Sequence, residues 1–321
     1  MQMNMVSALN NALALILQQD DSTVLLGEDV GKDGGVFRVT EGLQARFGEN
    51  RVIDTPLAES GIIGSSIGMA IAGMHPIAEI QFAGFSYVAF NQLISHAARY
   101  RSRTCSVQTV PMIVRMPVSG GVKALEHHSE NPEVLYSHMG GLIVIEPSGP
   151  YDAKGLLIKA SRMEDPVLFL EPTKLYRLFK EEVPEEAYEV QIGKANVVKE
   201  GSDLTIVTYG TMLSEVKNVV EKKGTNAEII DLRTINPLDE KTIIESVKET
   251  TRLMIVHEAP LTFGVGAEIA ARVAEKAIYE LSAPIIRVAS PSFPYPFPGY
   301  ENYYVPTEKK IASAIDKIMS K

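Results

Sequence analysis

The chain of 321 residues has no tryptophan and a single cysteine, Cys105. One cysteine excludes an intramolecular disulfide framework and any cysteine-based zinc site, which fits a reducing compartment and predicts a buried structural thiol. Cations are also few: 31 Lys and Arg stand against 40 Asp and Glu, a net charge of -9. Without a basic stripe, neither nucleic acid nor an anionic membrane surface is expected as a partner. The one basic cluster, Arg99, Arg101 and Arg103, fits the C-terminal end of a helix, where cations are favoured. No basic-then-apolar leader opens the sequence and no apolar run approaches about 18 residues. Neither an export signal nor a membrane helix is therefore expected, and the location is expected to be cytoplasmic.

What is present is 45% hydrophobic residues, enough for a sizeable core. Helical spacing runs from Met5 to Gln18, and Thr23-Val24-Leu25-Leu26 reads as a buried strand. Further strands are read at His75–Phe82, Met112–Met116, Leu142–Ile145 and Pro166–Leu170, with helices at Phe85–Arg101 and Tyr151–Arg162 between them. The acidic run from Lys180 to Glu189 has the composition of a solvated linker. Beyond it, strands at Leu204–Thr208, Ala227–Asp231, Leu253–His257 and Ile285–Val288 alternate with helical stretches near Thr211–Lys223, Asp239–Glu249 and Gly264–Leu281. The fold class is thus α/β, with two open, mostly parallel domains over residues 1–180 and 191–321 and a linker at 181–190.

Two glycine clusters have weak claims to chemistry. Gly31–Gly35 lacks the Gly-Lys-Ser/Thr ending of a phosphate loop, and Gly264-Val265-Gly266 lacks the third glycine of a dinucleotide motif. His257-Glu258, at a strand end, is read as structural or as a subunit contact. The extended aromatic tail Pro291–Pro298 suits a partner surface.

The most informative stretch is Asp54-Thr55-Pro56-Leu57-Ala58-Glu59-Ser60-Gly61, which runs into a helix rich in Gly, Ala and Ser up to Gly73. Such a helix predicts that something presses closely against it. Two readings of Glu59 stand side by side. In one, Thr55 is the N-cap, Pro56 the first helical residue, and Glu59 complements the helix dipole. In the other, the packed seam desolvates Glu59, so that it can share a proton with a buried ring nitrogen.

Asp54–Ile62, together with Gly27-Glu28-Asp29-Val30 and its glycine loop, resembles the signature of one family. That family is the beta subunit of the thiamine-diphosphate-dependent decarboxylating component of 2-oxo acid dehydrogenase complexes, in the transketolase-like superfamily. The similarity runs over nearly the whole chain. It implies a pyrimidine-binding domain followed by a transketolase C-terminal-like domain. It implies that Glu59 contacts N1′ of the aminopyrimidine as a catalytic acid, and that Leu57, Gln81 and Phe85 also bind the cofactor. His128, in the loop Pro117–Glu130, matches the family's catalytic histidine. Glu130 stands where Gln is usual, which would favour the imidazolium. The adjacent His127 either supports His128 or flanks it; neighbouring side chains seldom converge on one metal ion. Asp165 matches a region that binds a structural potassium ion, although Met163 replaces an Asp common among relatives.

The resemblance also implies partners. No Gly-Asp-Gly occurs, so an alpha chain is expected to bring Mg²⁺ and the diphosphate half of the site, in a tetramer of two alpha and two beta chains. A lipoyl transacylase core would receive the acyl group, and the substrate would be a 2-oxo acid. Glu79-Ile80-Gln81-Phe82-Ala83 resembles branched-chain enzymes most, with pyruvate and acetoin enzymes as alternatives. A non-catalytic interaction subunit is the alternative of another class; it predicts that Glu59 and His128 are replaceable.

Overall fold

The structure is a computed structural model and describes residues 1–320. Its first strands are Gln2–Met3 (β1), Thr23–Gly27 (β2), Val52–Asp54 (β3), His75–Glu79 (β4), Ile113–Val118 (β5), Ile143–Ile145 (β6) and Val167–Pro172 (β7). The remainder are Glu181–Glu182 (β8), Asn196–Lys199 (β9), Leu204–Thr208 (β10), Ala227–Asp231 (β11), Thr234–Asn236 (β12), Leu253–Pro260 (β13) and Ile286–Ser290 (β14). One sheet has the order β12-β6-β7-β5-β4-β2-β3 and a second the order β14-β13-β10-β11-β9. Only β12 and β9, each at an edge, run antiparallel to their neighbours in these two sheets.

Strand residues alternate between the two faces of the first sheet, as the period of two requires. Val24, Leu26, Val114, Met116, Leu168 and Leu170 face one core, while Leu25, Ile113, Val167 and Phe169 face the other. The helix Met5–Gln19, capped by the Asn4 side chain on the Ser7 N–H, packs with the helix Pro150–Ala160 against the latter face. The opposite core also takes Val207, Ile230, Ile235 and Val265 from beyond residue 191, so both α/β units share one apolar interior. β12 goes further and joins the first sheet by pairing Thr234 with Ile145. Both faces of these strands are covered, which explains why they read as continuous apolar runs.

Four expectations are corrected. The helix after Asp54 spans Glu59–Ile71, with Ala58 rather than Thr55 at its N-cap; the Thr55 hydroxyl is buried without a partner. The stretch read as one α-helix from Phe85 begins as a 3₁₀ turn at Ala83–Ala89, widens to a π-helix at Gln92–Ala97, and becomes α only at Ala98–Arg103. Arg101 and Arg103 do lie in its last turn. The acidic linker is fastened to the first unit: β8 pairs with β1, Val183 and Val190 are buried, and Tyr188 stacks on Tyr151 at 4.6 Å. Cys105 is exposed, in the turn that follows Arg103, rather than buried. Among the described residues no helix is long and apolar enough to cross a membrane.

Candidate active site

β2, β3 and β4 are parallel neighbours whose carboxyl ends are level, with Gly27 opposite both Asp54 and Glu79. Ligands of open α/β sheets gather at this end. The segments leaving these three strands carry Glu28 and Asp29, then Leu57 and Glu59, then Gln81 and Phe85. The Asp54 carboxylate accepts from the backbone N–H groups of Gly31 at 2.6 Å and Lys32 at 3.0 Å, and so shapes the glycine loop from the neighbouring strand. The Thr55 N–H donates to the Gly27 carbonyl at 2.9 Å.

Glu59 opens its helix and is buried, whereas Leu57, two residues earlier, is 79% exposed. Glu28, which the sequence reading did not single out, faces both the Glu59 carboxylate and the Ala58 N–H at the helix N-terminus. Burial, and then the charge of Glu59, raise its pKa; its Oε1 has no partner. The signal available was an acid placed directly between a buried strand and a glycine loop. Gln81 donates from Nε2 to Asp29 Oδ2 at 2.8 Å. Its amide is thereby oriented by the same segment that carries Glu28.

Phe85 lies edge-on to Phe82 and His128, with ring centroids 5.6 Å and 5.2 Å away, and Phe82 meets His128 at 4.3 Å. The imidazole is thus fixed by two phenyl rings, and its Nδ1 is buried without a hydrogen-bond partner. His127 is exposed and faces Glu126 at 3.4 Å. Glu130 accepts from the Tyr87 hydroxyl, whose pKa is raised by burial and by that carboxylate. Ser60 donates to the Val88 carbonyl, which joins the Glu59 helix to the turn carrying Phe85. Glu59, Gln81, Phe85 and His128 therefore share one end of the sheet.

The small-residue face of the Glu59 helix is open. Gly61, Gly64, Ser65 and Gly68 are exposed, and a Cβ added at Gly68 would meet nothing within 4 Å. A Cβ added at Gly64 would meet only the Gln92 side chain, at 3.9 Å. A groove of about 740 Å³ between the two units, lined by Phe90, His138, Phe263 and Arg272 among others, contains none of Glu59, Gln81, Phe85 and His128.

Three further readings fall on residues whose surroundings the structure shows. Asp165 accepts from Arg101 Nε at 2.6 Å, so the carboxylate expected to hold potassium is engaged by a guanidinium. Glu258 bonds to the loop Ser119–Asn131 of its own chain, in line with its structural reading, and in the aromatic tail Tyr295 is buried close to Gly120 while Phe293 and Phe297 stay exposed. Glu79 is held in a buried ion pair with Arg115 at 2.7 Å, and Ile80 and Ala83 belong to the core. Three of the five residues Glu79–Ala83 thus serve packing, while Gln81 and Phe82 stand at the site itself.

The family description "Transketolase, pyrimidine binding domain" matches residues 1–178, and "Transketolase, C-terminal domain" matches residues 193–311. The chain is 50% identical over 317 residues to a protein named pyruvate dehydrogenase E1 component subunit beta from Acholeplasma laidlawii, covering 98% of this chain and 97% of the relative. The protein of that name from Staphylococcus epidermidis is 50% identical over 313 residues, covering 97% and 96%. These names favour the pyruvate alternative over the branched-chain expectation. A solved structure titled "Split gene transketolase, inactive beta4 tetramer" has the same fold, with a TM-score of 0.81 at 20% identity over 99% of this chain and 98% of that one. The chain belongs to the transketolase-like family of beta subunits of the E1 component of 2-oxo acid dehydrogenases, a thiamine-diphosphate-dependent oxidoreductase family.

Proposed function

We propose that this chain supplies the aminopyrimidine half of a thiamine diphosphate site in a pyruvate dehydrogenase. An alpha partner completes that site against the open small-residue face. The observation that carries this reading is the gathering of Glu59, Gln81, Phe85 and His128 at the ends of β2–β4. An aminopyrimidine requires an acid at a ring nitrogen, an amide for its exocyclic amine and a flat apolar contact. Glu59, Gln81 and Phe85 provide these in turn, and the exposed Leu57 adds apolar surface. The domain division is proposed at residues 1–180 and 191–321, with 181–190 as connector.

When bound, the cofactor supplies the nucleophilic carbon and the electron sink for decarboxylation. The chain's own residues do the rest. Glu59, at a helix N-terminus with the Glu28 carboxyl nearby, would hold a proton at N1′ of the ring. Gln81, with Nε2 occupied by Asp29, offers its carbonyl oxygen to the exocyclic amine. Phe85 fixes the ring plane, and such contacts contribute about 0.5–1.5 kcal/mol beyond burial. His128, clamped by Phe82 and Phe85, positions the 2-oxo acid or assists acyl transfer to a lipoyl group.

The deciding experiment measures decarboxylation of pyruvate and of branched-chain 2-oxo acids with thiamine diphosphate, Mg²⁺ and an artificial electron acceptor. It uses this chain alone, the chain with its alpha partner, and Glu59→Gln. Activity that requires the partner and falls about 10²–10⁴-fold in the variant supports the reading. Full activity in the variant returns Glu59 to helix capping, and a preference for branched-chain substrates overturns the pyruvate assignment.

A further inference from the structure

His128 is carried by a loop whose two ends meet. Ser119 Oγ donates to Asn131 Oδ1 at 2.6 Å, and the Ser119 N–H donates to the Glu130 carbonyl at 3.2 Å. Between these ends, Gly121, Val122, Lys123, Leu125 and His127 are exposed, so the span owes its position to a few fastenings. The central one comes from the second unit. Glu258 Oε1 accepts from the Gly120 N–H at 2.7 Å and Oε2 accepts from Thr211 Oγ1 at 2.6 Å, and Asn131, itself tied to Ser119, lies beside the same carboxylate. Residues 120 and 131, at opposite ends of the loop, thus converge on one side chain from a distant strand. That strand, β13, is buried from Leu253 to Ala259, which makes it a rigid anchor. Two donors, a backbone N–H and a hydroxyl, each occupy one of its oxygens.

We propose that Glu258 is a positioning residue: from the second unit it staples both ends of the Ser119–Asn131 loop and so sets the place of His128. The proposal rests on the role given to His128 above. It deepens that reading by making the second unit part of the working site rather than a support alone. A neighbouring carboxylate acts in the same sense, since Glu301 Oε1 accepts from the Gly121 N–H at 3.1 Å.

The test uses the enzyme assembled with its alpha partner, thiamine diphosphate and Mg²⁺, and pyruvate as substrate. Glu258→Ala, Glu258→Gln and Asn131→Ala are each made alone and in a His128→Ala background. Misplacing a catalytic group by about 1 Å costs about 10²-fold, so Glu258→Ala is expected to lower kcat about 10–100-fold when His128 is present and less than about 3-fold when it is absent. Glu258→Gln, which keeps an acceptor for Gly120, is expected to recover most of the loss. Equal losses in both backgrounds overturn the proposal in favour of a merely structural role. If Glu258→Ala fails to assemble, Asn131→Ala, which removes one arm of the staple, decides by the same comparison. Hydrogen exchange across residues 119–131 reads the staple without reference to activity. Faster exchange there, with β13 unchanged, supports it, and unchanged exchange overturns it. Full activity of His128→Ala alone would strike at the role of His128, and the exchange data would still decide the staple.

Discussion

Gly84 passes so close to the His127 carbonyl oxygen that no methyl group fits between them. The turn that carries Phe85 and the loop that carries His128 are therefore in backbone contact, and the spacing of the two rings depends on a missing side chain. Gly84→Ala is expected to push the loop away, lowering activity about 10–100-fold while costing about 1–3 kcal/mol of stability. Activity assays of the assembled enzyme alongside thermal melts check both. A variant with normal activity would show that the 83–89 turn does not set the loop.

Glu28 sits where burial and the Glu59 charge both oppose its ionisation. Its folded-state pKa is raised, so the native chain binds more protons than the unfolded one, and this contribution is lost as pH rises through the folded value. Glu28→Gln removes the titration. Relative to the natural chain it is expected to melt higher at pH 8 and at nearly the same temperature at pH 4.5, while activity falls. Melting curves at the two pH values test the sign; a variant less stable at the higher pH would contradict it.

Most elements were legible because buried parallel strands are short apolar runs separated by helix-length amphipathic segments. Leu204–Thr208 and Ala227–Asp231 were read at the residues where they occur. Glu59, Gln81, Phe85 and His128 were legible only through resemblance, since each reads alone as a cap, a strand end, a core ring or an exposed loop residue. What could not be read was non-local. Thr234–Asn236 is too short to signal a strand, and its partner Ile145 lies some ninety residues earlier. Residues 181–190 look solvated by charge, yet Val183, Tyr188 and Val190 fasten them down. Glu258 gave no local sign of the loop ends it grips, because they lie more than a hundred residues upstream.

Arg115 is among the largest fully buried side chains. It meets Glu171 through Nε at 2.7 Å and Nη2 at 2.8 Å, and Glu79 through Nη1 at 2.7 Å, while the Tyr176 hydroxyl donates to Glu171 at 2.7 Å. Arg115→Leu leaves two buried carboxylates facing each other and is expected to cost about 3–5 kcal/mol. Adding Glu79→Gln and Glu171→Gln is expected to restore part of that loss. Denaturant midpoints of the single and triple variants check the order; equal midpoints would mean that the stranded charge is not the cause.

Where the two units meet, buried acids face one another. Glu133 accepts from the Tyr209 hydroxyl at 2.8 Å, Asp231 accepts from Ser148 at 2.8 Å, and Glu146 and Glu258 lie near enough to add repulsion. The ion pair of Asp152 with Arg233 at 3.0 Å flanks Asp231. Burial pushes Glu133 and Asp231 each up to about 7, and raises Glu146 well above the ordinary carboxylate range. All three folded-state values lie above those of ordinary carboxyls, so the native state retains protons that the unfolded chain releases above about pH 4.5. The stability these groups contribute is therefore fully present below about pH 4.5 and is lost as pH rises through about 7. Glu133→Gln keeps an acceptor for Tyr209 but removes one titrating group, so its melting temperature should decline less steeply between pH 5.5 and 8. The same slope in variant and natural chain, or a melting temperature that climbs with pH, would place the pH response elsewhere than in this interface.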